Sequence, residues 1–99
     1  MHVSIYAVQI LTLRNIEKIS KALSDINRLK ILSAIQSSEE RLECSTVISL
    51  LNISQPSVSH HIKKLVEAEL IEPQKEGRFY YYSLNKKVME QYLEALRKL

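Results

Sequence analysis

Residues 54–65 read Ser54-Gln55-Pro56-Ser57-Val58-Ser59-His60-His61-Ile62-Lys63-Lys64-Leu65, and this stretch decides the fold. Ser54 can accept a backbone N–H and open a helix, and Pro56 fits the first turn, where its missing donor is not needed. At ~100° per residue, Val58, Ile62, Leu65 and Glu69 line one side, with Val66 beside them. Pro56, Ser57, His60, Lys64 and Glu67 fall opposite. The pattern predicts a short helix with one buried face and small polar or basic side chains outward. Such a helix is suited to a DNA major groove, where Gln pairs with adenine, Ser bonds several base edges and Lys meets phosphate or guanine.

Outward from this segment, one Gly and two Pro leave few breaks, so helices should dominate. Ile16, Ile19 and Leu23 define a helix over 15–23. Ser24 is placed to cap a second helix, from about Asp25 to Ser37, that buries Ile26, Leu29, Ile31, Leu32 and Ile35. Residues 36–41 read as a polar loop. A third helix runs from Cys44 or Thr46 to Leu51 with Val47, Ile48, Leu50 and Leu51 apolar, and Asn52 is a left-handed stop. Downstream, residues 71–75, a turn at Glu76-Gly77 and the aromatic run 78–84 predict a β-hairpin, its first strand on an edge because of Pro73. Phe79 and Tyr81 should share one face and Tyr80 and Tyr82 the other, one pair entering the core. Asn85 opens a last helix carrying Val88, Met89, Tyr92, Leu93, Leu96 and Leu99. Two short helices and a tight turn followed by a hairpin predict a mainly α winged helix-turn-helix, about five helices and a two-stranded wing, in a single domain spanning 1–99.

Fourteen Lys+Arg against eleven Asp+Glu give a net charge of +3, an excess that favours a polyanionic partner without establishing one. A single cysteine provides no internal disulfide, so a reducing cytoplasm is expected. The apolar run Val3–Leu13 lacks the basic lead and cleavage site of a signal peptide. It is also shorter than the ~20 residues that span a bilayer, so it is expected to be a helix extension packing on a second subunit. No membrane partner is expected.

Three ordered segments resemble the ArsR/SmtB family of small transcriptional repressors. Residues 22–32, Ala-Leu-Ser-Asp-Ile-Asn-Arg-Leu-Lys-Ile-Leu, are similar to its "ALADPTRLRIL" segment. Residues 54–62 are close to its "SQPAVSHHL" recognition helix, and Glu76-Gly77-Arg78 with Tyr80, Tyr81 and Tyr82 to its "REGRxVYYRL" wing. The resemblance implies a homodimeric repressor of double-stranded DNA whose first and last helices, within 1–23 and 86–99, form the interface through Ile16, Ile19, Val88, Tyr92 and Leu96. It also implies metal sites that this chain does not match. The paired cysteines of "ELCVC" fall at Glu43 and Ser45, with Cys44 between them, and one misplaced thiol and a serine build no thiolate site. The zinc ligands that other members carry at the start of the last helix fall at Lys86 and Val88. No metal and no cofactor are expected.

Within this frame Gln55, Ser57 and His60 are candidates to read bases. Ser54, Ser59, His61, Lys64 and Lys75 are candidates for positioning on the backbone, and Arg78 for anchoring the wing in the minor groove or on phosphate. His60 and His61 diverge by ~100° and do not readily chelate one ion. His61, at the edge of the buried face, is either a packing or a phosphate-contact residue, and Lys30, Lys63 and Lys64 could equally be solvated surface. Cys44 is a small residue at a helix start, with a redox-responsive thiol as its alternative. A protein-binding module is disfavoured because the outward face of 54–65 lacks apolar anchors. No catalytic set, phosphate-cradling loop or ligand cluster occurs, so an enzyme is not expected. An effector, small-molecule or redox, is left unidentified.

Overall fold

The computed structural model describes residues 11–39 and 41–99. The expected extension over Val3–Leu13 lies outside this range except for its last residues. Helix α1 (Leu13–Leu23) is followed by α2 (Ile26–Ser37), strand β1 (Leu42–Glu43), α3 (Cys44–Leu50), α4 (Gln55–Glu67), β2 (Ile71–Glu76), β3 (Phe79–Leu84) and α5 (Lys86–Arg97). Five helices and an antiparallel sheet of order β1-β3-β2 make a winged helix-turn-helix. The wing thus has a third, unanticipated strand: two residues are too short to show a period of two in sequence.

Each helix start has a local cause. Thr12 and Asn15 form a reciprocal capping box, which moves the start of α1 to residue 13. Asp25, not Ser24, caps α2, its carboxylate accepting from the N–H groups of Asn27 and Arg28 at 2.8 and 3.2 Å. Ser24 instead closes α1 by donating to Lys21 O. Gln36 and Ser37, claimed by both the expected helix and the expected loop, belong to α2, which ends at Ser37. Ser54 and Asn85 cap α4 and α5 as expected.

α4 ends differently from expectation. Its last turn closes with Glu69 N–H on Val66 O (2.9 Å) and Leu70 N–H on Leu65 O (3.0 Å), the two bonds of a Schellman motif. Glu69 takes the left-handed position at φ +61°, so it leaves the buried stripe and lies exposed, while Leu65 and Leu70 make the apolar clasp. Asn52 is not left-handed: the positive φ values among the described residues belong to Glu69 and Gly77.

The core gathers Ile31, Leu32 and Ile35 of α2, Val47 of α3, Val58, Ile62 and Leu65 of α4, and Leu70, Ile71 and Tyr82 beneath the wing. α2 packs on α1, α4 and β3, and α4 also packs on β2. Ile26 and Leu29, expected inside, are 64% and 45% exposed. Ile26 lies nine residues before the buried Ile35, about half a revolution away at ~100° per residue. Leu50 is likewise exposed, α3 burying only Val47.

Along the wing, Ile71↔Leu84, Pro73↔Tyr82 and Lys75↔Tyr80 pair on one face, and Glu72↔Ser83, Gln74↔Tyr81 and Glu76↔Phe79 on the other. Pro73 does lie on an edge strand. Neither aromatic pair enters the core whole: Tyr82 is buried at the base, whereas Tyr80 and Phe79 stand exposed toward the tip. The hairpin outruns the core beneath it. The turn residues are Gly77 and Arg78, one place later than expected, with φ +63° at Gly77 as a II′ hairpin turn requires.

Candidate nucleic-acid interface

α3 and α4 form the helix-turn-helix. Val58, Ile62 and Leu65 seat α4 in the core, and the other side carries Gln55, Pro56, Ser57, Ser59, His60, Lys63 and Lys64, all exposed. Ser54 both caps and orients: its Oγ accepts from Ser57 N–H at 3.3 Å and donates to Ser57 Oγ at 2.9 Å. Ser57 thereby keeps its own hydroxyl proton for an outward donor bond. Gln55 and Pro56 occupy the first turn, where the positive end of the helix dipole favours an anionic neighbour such as phosphate. Six of the expected contact residues (Ser54, Gln55, Ser57, Ser59, His60, Lys64) therefore share one open helix.

His61 is set apart. Its side chain is only 12% exposed, and its Nδ1 lies 3.0 Å from Arg28 Nη1 and 3.8 Å from Asp25 Oδ1. Burial pulls the Asp25 carboxyl upward. That effect is outweighed by the Arg28 and Asn27 N–H groups, by His61 in its protonated form and by the Arg28 charge, and the Asp25 pKa is lowered from the ordinary 3.8.

The wing carries Lys75 and Arg78, both exposed, Arg78 in the turn itself. Lys75 Nζ sits 5.7 Å from the Tyr80 ring, a weak cation–π contact. On the opposite face Arg41 is stacked 3.9 Å over Tyr81. It donates bidentately to Glu76 at 2.7 and 3.0 Å and to Gln74 Oε1 at 3.2 Å. This fork holds the Glu76 carboxyl below its usual range and staples the loop before β1 onto both wing strands. Neither Arg28 nor Arg41 was singled out from sequence. Arg41 sits in a polar loop whose wing partners lie more than thirty positions away.

Cys44, at the start of α3, lies beside the Tyr82 phenol. Burial, the Cys44 thiol and Tyr80 push that phenol up to about 12, so it stays protonated. Glu43 and Ser45 flank Cys44, and α5 starts with Lys86, Lys87 and Val88. No helix among the described residues is long and apolar enough to cross a membrane.

Of the five expected interface residues, Ile16, Ile19 and Tyr92 are buried within one chain, and Val88 is half-buried. Tyr92 is further held by a 2.8 Å hydrogen bond to Ser20, tying α5 to α1. Those residues supply the chain's own core. On α1 and α5 and at their ends, the large apolar side chains left exposed among the described residues are Leu13, Leu93, Leu96 and Leu99, of which Leu96 is one of the expected interface residues.

An exposed, capped helix beside a basic-tipped hairpin defines the protein, by its architecture, as a winged helix-turn-helix protein. Residues 23–74 match the family model described as a helix-turn-helix domain. The transcriptional repressor SdpR of Bacillus subtilis (strain 168) is 40% identical over 70 residues, 71% of this chain and 76% of that protein. The arsenical resistance operon repressor of Staphylococcus aureus is 34% identical over 83 residues, 84% and 78% of the two chains. The solution structure of the homodimeric winged helix-turn-helix DNA-binding domain of a Mycobacterium bovis protein superposes with a TM-score of 0.70. It is 18% identical, over 97% of this chain and 85% of that one, and so speaks for the fold alone. The chain belongs to the ArsR family of transcriptional regulators.

Proposed function

We propose that the protein is a cytoplasmic repressor that binds an inverted-repeat operator as a homodimer, without the metal-sensing sites of its family. The observation that carries the reading is the open face of α4, where Gln55, Ser57 and His60 stand clear of the core on a helix anchored by Val58, Ile62 and Leu65. Gln55, Ser57 and His60 read base edges in the major groove, Ser54, Ser59 and Lys64 hold phosphates, and Arg78 with Lys75 anchors the wing. Two such helices would enter successive major grooves about one helical turn apart.

Dimer formation is supported by the homodimeric neighbour and by Leu13, Leu93, Leu96 and Leu99 exposed on α1 and α5 or at their ends. A groove of about 650 Å³ lies there, lined by Leu11, Leu13, Ile16, Ala95 and Leu99 among others. Loss of metal sensing is supported by the donor set: Cys44 is the single cysteine of the sequence, and Glu43 and Ser45 stand where the family's paired cysteines would be.

The test is competition binding to the DNA upstream of the protein's own gene, against scrambled duplex across a salt series, with zinc, chelator or peroxide added. Specific binding that zinc and chelator leave unchanged is expected. Release by zinc overturns the metal-independent reading, release by peroxide alone transfers sensing to Cys44, and no specific binding favours a protein partner.

A further inference from the structure

We infer that Arg28 is a positioning residue for DNA binding, fixing His61 of the recognition helix as a donor toward the DNA backbone and linking that helix to α1. The inference rests on the DNA-binding reading of α4. One guanidinium makes three bonds: Nε donates to Ala22 O at 2.7 Å, Nη2 to Lys21 O at 3.4 Å, and Nη1 lies 3.0 Å from His61 Nδ1. The first two acceptors are carbonyls at the C-terminal end of α1, where a cation also meets the favourable end of the helix dipole. The third is the imidazole of α4.

A guanidinium has five donors and no acceptor, so the Arg28–His61 bond has one sense. Nδ1 must offer its lone pair, and the ring proton of neutral His61 sits on Nε2. Asp25, 3.8 Å from the same Nδ1, is too far for a competing hydrogen bond, and its carboxylate is already taken by two N–H groups. Among the described residues no buried side-chain nitrogen or oxygen lacks a hydrogen bond. His61 Nε2 has no hydrogen-bond partner among the described residues, so it is not sealed from solvent by them. It lies on the helix that carries His60 and Lys64 outward. An N–H held there by a rigid ring suits a phosphate oxygen and carries no sequence information. Because Arg28 is held by α1 at its other nitrogens, a displacement of α1 against α2 moves or breaks the bond that orients His61. α1 packs directly on α5, and both carry the apolar residues proposed for dimer contact, so the state of that contact can reach the DNA face through this side chain.

The experiment uses the ¹⁵N-labelled full chain. Long-range imidazole spectra of the free protein are expected to give His61 as the Nε2–H tautomer. In Arg28→Lys, which keeps the charge but not the fork, the tautomers should mix. Affinity for operator and for scrambled duplex should then fall together, by about tenfold, the low end for a hydrogen bond to a charged group. His61→Ala should cost the same, and the double variant no more than His61→Ala alone. An Nδ1–H tautomer in the parent, or losses that add in the double variant, overturns the inference. If the parent binds no DNA at all, the repressor reading fails, while the spectra of the free protein still judge the Arg28–His61 link.

Discussion

At the scale of single residues, base reading and backbone holding should separate cleanly. Gln55→Ala, at the exposed first turn of α4, should lose ~1–3 kcal/mol of discrimination between operator and altered sites. Equal binding of parent and variant to all sequences would remove Gln55 from the reading set. Arg78→Ala should weaken every sequence alike and reduce the salt slope by about one. Asp25 offers a titration test. Its pKa is lowered in the folded protein, so the stability it contributes is complete above the ordinary value of 3.8 and is lost as pH falls through the folded value. Asp25→Asn keeps a capping oxygen but does not ionise. The parent's advantage over it in urea midpoint should hold near neutrality and shrink below about pH 4. An advantage that persists in acid would deny the carboxylate its role.

At the scale of elements, two left-handed residues invite opposite substitutions. Glu69 takes the Schellman position of α4 at φ +61°, where a side chain costs roughly 1 kcal/mol, so Glu69→Gly should raise the thermal midpoint. Gly77 lies at φ +63° with nothing within 4 Å of an added Cβ, so Gly77→Ala should destabilise the hairpin by about 1–2 kcal/mol through backbone strain alone. Calorimetry on both variants reads the signs. Most element boundaries were legible because caps and periodicity are local: Ser54, Asn85 and the aromatic run announced α4, α5 and β3. Glu69 hid its role because a glutamate does not advertise a left-handed turn. The strand Leu42–Glu43 was hidden because its two residues pair with Tyr81 and Tyr82, some forty positions away.

At the scale of the whole molecule, the question is which apolar residues serve the chain's own core and which serve a partner. α5 buries Tyr92 but leaves Leu93 57% and Leu96 38% exposed, which one chain alone does not use. Leu93→Glu should leave the fold intact, since nothing in the core needs that side chain. It should convert a dimer to monomer in sedimentation and lower operator affinity by about a hundredfold or more, as two linked half-site contacts become one. An unchanged sedimentation coefficient would move the interface elsewhere.

The sequence by itself determined the winged helix-turn-helix and the outward face of α4, because both follow from periodicity and from caps formed within three or four residues. It could not apportion Ile16, Ile19 and Tyr92 between core and interface, since an apolar stripe looks the same whether it is covered by its own chain or by another. Only the tertiary structure decided that, together with the placing of Arg28 against His61 and of Arg41 against Glu76 and Tyr81. Those contacts join residues thirty or more positions apart, and a charged side chain in sequence carries no sign of the partner that folding will bring to it.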